Sequence, residues 1–248
     1  MQNQPYEFKE KMWFLYPSDA FNSFGCIMSG ELATIVAESN SWKTTFALDL
    51  IATNAEIGRK WFYINLEFPI ETMWQSRWLW LHWKTKDNLT DLVSLTDAEK
   101  KDLTRYVNDM LKKFDYYNNP KWISLKDLDV LISEKALEWY KLFVIDSFSM
   151  IEWNQQNEAR GNQNKCMQCL QELAQRLDIA IVVLHHTNRT GTWEGSQKIM
   201  DLSNVMIVIS KEVDAEWEQY RNYALIKDKY VVNNEVDCYY RGWKYEKF

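Results

Sequence analysis

The sequence predicts an α/β fold: a mainly parallel central sheet with helices on both faces and an antiparallel edge built by the C-terminal tail. Three observations lead there. Short apolar runs alternate with helical periods between Leu32 and Ser210. The runs LFVI and IAIVVL are continuously apolar, as strands covered on both faces are, instead of alternating in and out. The 248 residues are 46% apolar, with only 7 Gly and 4 Pro, which is enough core for one large domain with few long loops.

Taken in order, Leu32–Val36 is a first strand, and Lys43–Ile57 is a helix stopped by Gly58. Trp61–Glu67 (WFYINLE) is a second strand. Pro69 to about Trp83 is a helix with Pro in its first turn. Thr96–Phe114 is a charged amphipathic helix, with Leu103, Val107, Met110 and Leu111 on one stripe. Leu125–Trp139 is helical, Leu142–Ile145 is a strand ending at Asp146, and Asn164–Leu177 is a helix. Ile179–Leu184 and Val205–Ser210 are strands, and the tail (NYALIK, then VDCYYRGWKYEKF) reads as antiparallel strands at one edge. Strands separated by helices run parallel, and such sheets bind ligands beyond the carboxyl ends of their strands. Attention therefore falls on the ESNSWKTT loop, Glu67, Asp146 and HHTNR.

Composition narrows the function. Net charge is −6 with a pI near 5.3, so any nucleic-acid contact is made by a few loops and not by a basic face. There is no apolar window of membrane-spanning length, and MQNQPYEFKEKMWFLYP lacks the apolar core of a signal peptide. The 4 Cys in so long a chain do not suggest a disulfide scaffold, and a reducing cytoplasm fits best. Cys166 and Cys169 form C-x-x-C inside a predicted helix with no second pair, which reads as two small residues near a core stripe. Aromatics reach 15%, with 13 Trp; they form either an aromatic core or, in part, a partner surface.

The stretch ATIVAESNSWKTTFALDLIA (33–52) has the strand–loop–helix layout of a phosphate-binding loop, whose usual spelling is G-x-x-x-x-G-K-[ST]. Backbone N–H groups and a helix N-terminus there face oxyanions. The candidates are Glu38, Ser39, Asn40, Ser41, Trp42, Lys43, Thr44 and Thr45. Lys43 suits β/γ-phosphate charge and Thr44 suits Mg²⁺. Both glycines are missing: Ala37 and Trp42 hold their places. A non-glycine residue in the left-handed region costs about 1–2 kcal/mol, which a fold can bear. The indole either lies over the loop or blocks the phosphates. The same letters also spell an ordinary threonine-rich helix start.

The other strand ends add chemistry. Phe143–Asp146 is an apolar strand ending in an acid, the arrangement that holds Mg²⁺ beside a phosphate loop, or else a simple cap on the next segment. Glu67 stands where a carboxylate can activate water, or where a helix dipole favours an acid. His185 and His186 are neighbours on a strand and so point to opposite faces, which argues against one shared metal ion. His186 is the candidate γ-phosphate sensor.

The order GELATIVAESNSWKTTFALDLIA, FYINLE, LFVIDS and VVLHHTNRTGTWEGSQKIMDLSNVMIVI resembles RecA-like P-loop ATPases of the DnaB and plasmid RepA replicative-helicase group, over roughly Gly30–Lys229. The stretch H-H-T-N-[KR]-x-G…G-S is its most specific element. The resemblance implies a RecA-like ATPase domain over 30–248 behind an N-terminal segment, 1–29. It implies ATP and Mg²⁺ as cofactors, Glu67 as the catalytic glutamate that activates water, and His186 as the sensor. Some members also carry an aromatic before the P-loop lysine, as in Ser-Phe-Lys-Ser. Ala224–Lys229 (ALIKDK) resembles the K-x-R strand that reaches a neighbour's γ-phosphate, with Lys229 replacing arginine and so lacking its bidentate fork. The loop Arg189–Lys198 would face a central channel, where Arg189 and Lys198 pair with the phosphates of single-stranded DNA and Trp193 stacks on a base. The implied partners are single-stranded DNA, further copies of the chain (a hexameric ring among the forms such assemblies take) and other replication proteins of a phage or mobile element. A non-hydrolysing loader or structural module on the same scaffold is the alternative.

Trp42→Gly restores the usual loop chemistry and is expected to keep or raise nucleotide affinity in calorimetric titration. A tenfold loss, about 1.4 kcal/mol, would make the indole part of the site.

Overall fold

The structure is a computed structural model that describes residues 10–17, 22, 25–38, 43–82, 95–152, 159–186, 196–213, 219–228, 236–241 and 244–247. A short antiparallel pair, β1 (Trp13–Phe14) and β2 (Ile27–Met28), precedes the main sheet. Then come β3 (Leu32–Ala37), α1 (Lys43–Glu56), β4 (Trp61–Asn65), α2 (Ile70–Leu81), α3 (Asp97–Lys113) and β5 (Tyr116–Asn118). β6 (Ile123–Ser124) leads into α4 (Leu125–Leu137), followed by β7 (Leu142–Asp146), β8 (Ile151–Glu152), α5 (Ala159–Leu177) and β9 (Ala180–His186). α6 (Ser196–Leu202) and β10 (Val205–Val213) lead to the tail strands β11 (Gln219–Asp228), β12 (Val236–Arg241) and β13 (Lys244–Lys247).

Among the described residues the main sheet has nine strands in the order β13-β12-β11-β10-β3-β9-β7-β4-β5. β10, β3, β9, β7, β4 and β5 pair in parallel, and β11, β12 and β13 extend the β10 edge antiparallel. This is the mainly parallel sheet with an antiparallel C-terminal edge that the alternation predicts.

Side-chain alternation divides the strands between two cores. Ile35, Tyr63, Val144, Val182 and Leu184 face one cluster with Phe46, Leu50 and Ile51 of α1, Trp74 and Trp78 of α2, and Leu103 and Val107 of α3. Ile64, Phe143, Ile145, Ile181 and Val183 face the other, with Leu128 and Ile132 of α4, Met167, Leu170 and Leu173 of α5, and Ile199 of α6. Helices thus cover both faces. Phe14, Tyr16 and Ile27, ahead of Gly30, are buried in the α1-side cluster. Asn54 ties this stretch to α1: its Oδ1 accepts from Leu15 N at 2.9 Å and its Nδ2 donates to Leu15 O at 2.8 Å.

Local chemistry sets the element ends. Gly58 takes φ 75°, and its N–H closes on Ala55 O at 3.0 Å just past α1. Thr96 and Glu99 form a capping box that opens α3, whose stripe buries Leu103 and Val107 and packs Met110 and Leu111 against the core.

Several boundaries differ from the sequence reading. β4 stops at Asn65, so Glu67 lies past the strand and not at its end. Its neighbours explain this: Asn65 pairs with Asp146 and Asn118, where β7 and β5 themselves end, so no partner strand continues beside Leu66 and Glu67. β9 runs on to His186 because β3 continues beside it, pairing Val36 with His185 and Ala37 with His186. A sixth parallel strand, β5, is absent from the sequence reading, because its three residues, YYN, carry too little pattern. Lys198 belongs to the first turn of α6 and not to the preceding loop, since the helix already starts at Ser196.

Trp74 and Trp78 are buried, while Trp13, Trp122 and Trp139 are exposed, so the tryptophans serve both core and surface. Among the described residues no helix is long and apolar enough to cross a membrane.

Candidate nucleotide and metal site

The parallel register decides which side chains can meet. Asn65 lies opposite Asp146, and Ala37 lies opposite His186. Tyr63, Asp146 and His186 have the same alternation phase as Tyr63, Val144 and Leu184 of the α1-side core. They therefore share the sheet face on which α1 begins with Lys43 and Thr44.

Lys43 is almost fully buried, at 6% exposure. Its Nζ donates to the carbonyls of Ala37 (3.3 Å) and Glu38 (3.0 Å) and lies 3.0 Å from His186 Nδ1. Burial lowers its pKa, opposed by the negative charges of Asp146 and Glu67. With Lys43 as donor, His186 Nδ1 is the acceptor, so the ring proton sits on Nε2. That nitrogen is 3.3 Å from Glu67 Oε1 and 3.4 Å from Oε2. The bond from His186 holds the Glu67 carboxyl below its usual range, so it is ionised at neutral pH. Lys43, His186 and Glu67 form one chain across the ends of β3, β9 and β4.

A second chain lies beside it and centres on Asp146, which is fully buried. Its Oδ2 accepts from Thr44 Oγ1 at 2.7 Å and from the Tyr63 hydroxyl at 2.6 Å. Its Oδ1 is buried with no hydrogen-bond partner among the described residues. Burial, reinforced by the Glu67 charge, pushes Asp146 up to about 6. Tyr63 is pushed well above its usual range by burial and by Asp146, so it remains a protonated donor.

His185 points to the opposite face, where its ring meets Phe148 edge-on at 5.3 Å. Burial above all, with the nearby Lys43 charge acting in the same direction, pushes it down to about 4. Cys166 is buried and Cys169 exposed, both as free thiols.

Of the residues singled out from sequence, Lys43, Thr44, Glu67, Asp146 and His186 are brought together. Glu38 adjoins them through its carbonyl, its side chain exposed, and Thr45 lies half-buried in the first turn of α1. Ser39, Asn40, Ser41, Trp42, Arg189, Trp193 and Lys229 lie outside the described residues, and Lys198 is described in backbone only. Tyr63 is the site residue that sequence reasoning misses. In the letters it is one more apolar strand residue.

An apolar parallel sheet ending in a lysine–threonine helix start and a buried aspartate defines a P-loop ATPase domain with a RecA-like fold. The chain belongs to the AAA_25 family, an AAA domain, whose match spans residues 18–192. In three dimensions it is similar to a solved ATPase domain, with TM-score 0.70 and 12% identity, over 85% of this chain and 81% of that one. It is also similar to a DnaB-like replicative helicase described with its primase interactions, with TM-score 0.71 and 11% identity, over 85% of this chain and 55% of that one. No curated protein matches it in sequence.

The unfolded chain protonates His185 near 6.5, and the folded chain only near 4. Between those values the unfolded state binds the extra proton, so stability falls as pH falls through that window. His185→Leu is expected to flatten this part of a melting-temperature profile; an unchanged slope from pH 6.5 to 4 would contradict the assignment.

Proposed function

We propose that the domain binds ATP with Mg²⁺, hydrolyses it, and acts as a replication-associated, helicase-like motor of a phage or mobile element on single-stranded DNA. The observation that supports this most is the meeting of Lys43, Thr44, Asp146, Glu67 and His186 in two neighbouring hydrogen-bonded chains. The P-loop family and the DnaB-like fold agree with it.

In this reading Lys43 transfers its amine from the Ala37 and Glu38 carbonyls to the β- and γ-phosphates. The donor set suits a hard divalent cation: a threonine hydroxyl, and a carboxylate whose buried Oδ1 has no other partner among the described residues. Thr44 and Asp146 would hold that ion. When bound, Mg²⁺ neutralises charge developing on the phosphate oxygens. Glu67, already ionised, takes the proton of the attacking water. The contacts of His186 with both Lys43 and Glu67 support its role as γ-phosphate sensor, since one side chain is coupled to the phosphate-binding amine and to the base. Copies assemble head to tail with nucleotide between them and Lys229 entering from a neighbour. Arg189, Trp193 and Lys198 contact DNA, and other replication proteins join in the cytoplasm.

A second reading, a non-hydrolysing loader or structural partner, draws on the two missing loop glycines at Ala37 and Trp42. Turnover separates the two. Lys43→Ala is expected to cut ATP hydrolysis to background while the wild-type rate rises with single-stranded DNA at low salt, where phosphate contacts are strongest. Equal background rates for both proteins would favour the non-hydrolysing module, and an active enzyme indifferent to DNA would remove the DNA motor.

A further inference from the structure

Tyr63 is fully buried on β4, edge-on to Phe114 at a ring separation of 5.6 Å. Trp61, Trp74 and Phe114 line the same region, so packing alone would accept phenylalanine. What tyrosine adds is a hydroxyl, which donates to Asp146 Oδ2 at 2.6 Å, a length typical of a charge-assisted O–H···O⁻ bond. The same oxygen accepts from Thr44. Two donors on one carboxylate oxygen fix the rotation of the carboxyl plane and leave Oδ1 as the oxygen without a partner among the described residues.

We propose that Tyr63 is a positioning residue for the metal site: its hydroxyl holds Asp146 Oδ2 so that Oδ1 is kept free for a divalent cation. The proposal rests on the nucleotide–Mg²⁺ reading above. Thr44 has a second duty toward the cation, whereas Tyr63, deeper in the core, has none. Tyr63 is therefore the donor that can hold the carboxylate unchanged with and without metal. Partners of this kind, bonded to a ligand and not to the ion, typically set metal affinity by about 10–100-fold.

The test separates cation affinity from nucleotide affinity. Mn²⁺ binding is followed by electron paramagnetic resonance with saturating AMP-PNP, and AMP-PNP binding is measured calorimetrically in EDTA. The proteins are wild type, Tyr63→Phe, and a chain with p-aminophenylalanine at 63, which keeps a donor. Tyr63→Phe is expected to fold, to bind AMP-PNP in EDTA as wild type does, and to bind Mn²⁺ about tenfold more weakly. The p-amino side chain is expected to restore most of that loss. Unchanged Mn²⁺ affinity in Tyr63→Phe overturns the proposal while leaving the ATPase reading intact. Equal losses with and without metal, or a Tyr63→Phe chain that does not fold, assign the hydroxyl a structural role and overturn it too. A wild-type chain that binds no nucleotide under either condition removes the ATPase reading, and this proposal with it.

Discussion

A parallel ladder in strict register is the constraint on which everything at this site depends. β3, β9, β7 and β4 lie side by side, with Ala37 beside His186 and Asn65 beside Asp146. Parallel strands end together, so four segments far apart in sequence deliver their last residues to one edge. Alternation then selects the face, sending Tyr63, Asp146 and His186 toward the start of α1 and His185 toward Phe148. A slip of one residue in β9 would exchange the two histidines and break the link from Lys43 to Glu67.

Within that frame the site is an electrostatic compromise. Asp146 is out of water and near the Glu67 charge, and both raise its pKa. Two hydroxyls and the Lys43 charge oppose them without fully offsetting them. Lys43, itself disfavoured by burial, folds back on two carbonyls and a histidine. A cation arriving beside Asp146 and an anion arriving beside Lys43 would each relieve part of this cost, so the arrangement suits a metal–polyphosphate.

How much of this is legible depends on how each signal is written in the chain. The strand–loop–helix of residues 33–52 and the apolar run into Asp146 are local patterns, so Lys43, Thr44 and Asp146 are found from sequence. The fold class follows from strands taking turns with helices along the chain and from the unbroken burial of β3, β7 and most of β9, as expected of strands covered on both faces. Strand ends are less legible: β9 outlasts its apolar run because β3 continues to pair with it, and β4 stops early because its partners β7 and β5 end opposite Asn65. β5 and the β1–β2 pair are too short to carry a period. Tyr63 escapes notice because its hydroxyl acquires meaning only from Asp146, 83 residues away. The two glycine substitutions in the loop are visible as letters, but their consequence is a matter of backbone geometry that letters do not contain.

The most direct measurement is a crystal structure with AMP-PNP and Mg²⁺, read at the Lys43 amine. Nζ is expected to leave the Ala37 and Glu38 carbonyls for the β- and γ-phosphate oxygens, with the metal against Thr44 Oγ1 on the Asp146 side. A Lys43 still bonded to its own loop, with the nucleotide bound elsewhere, would contradict that expectation.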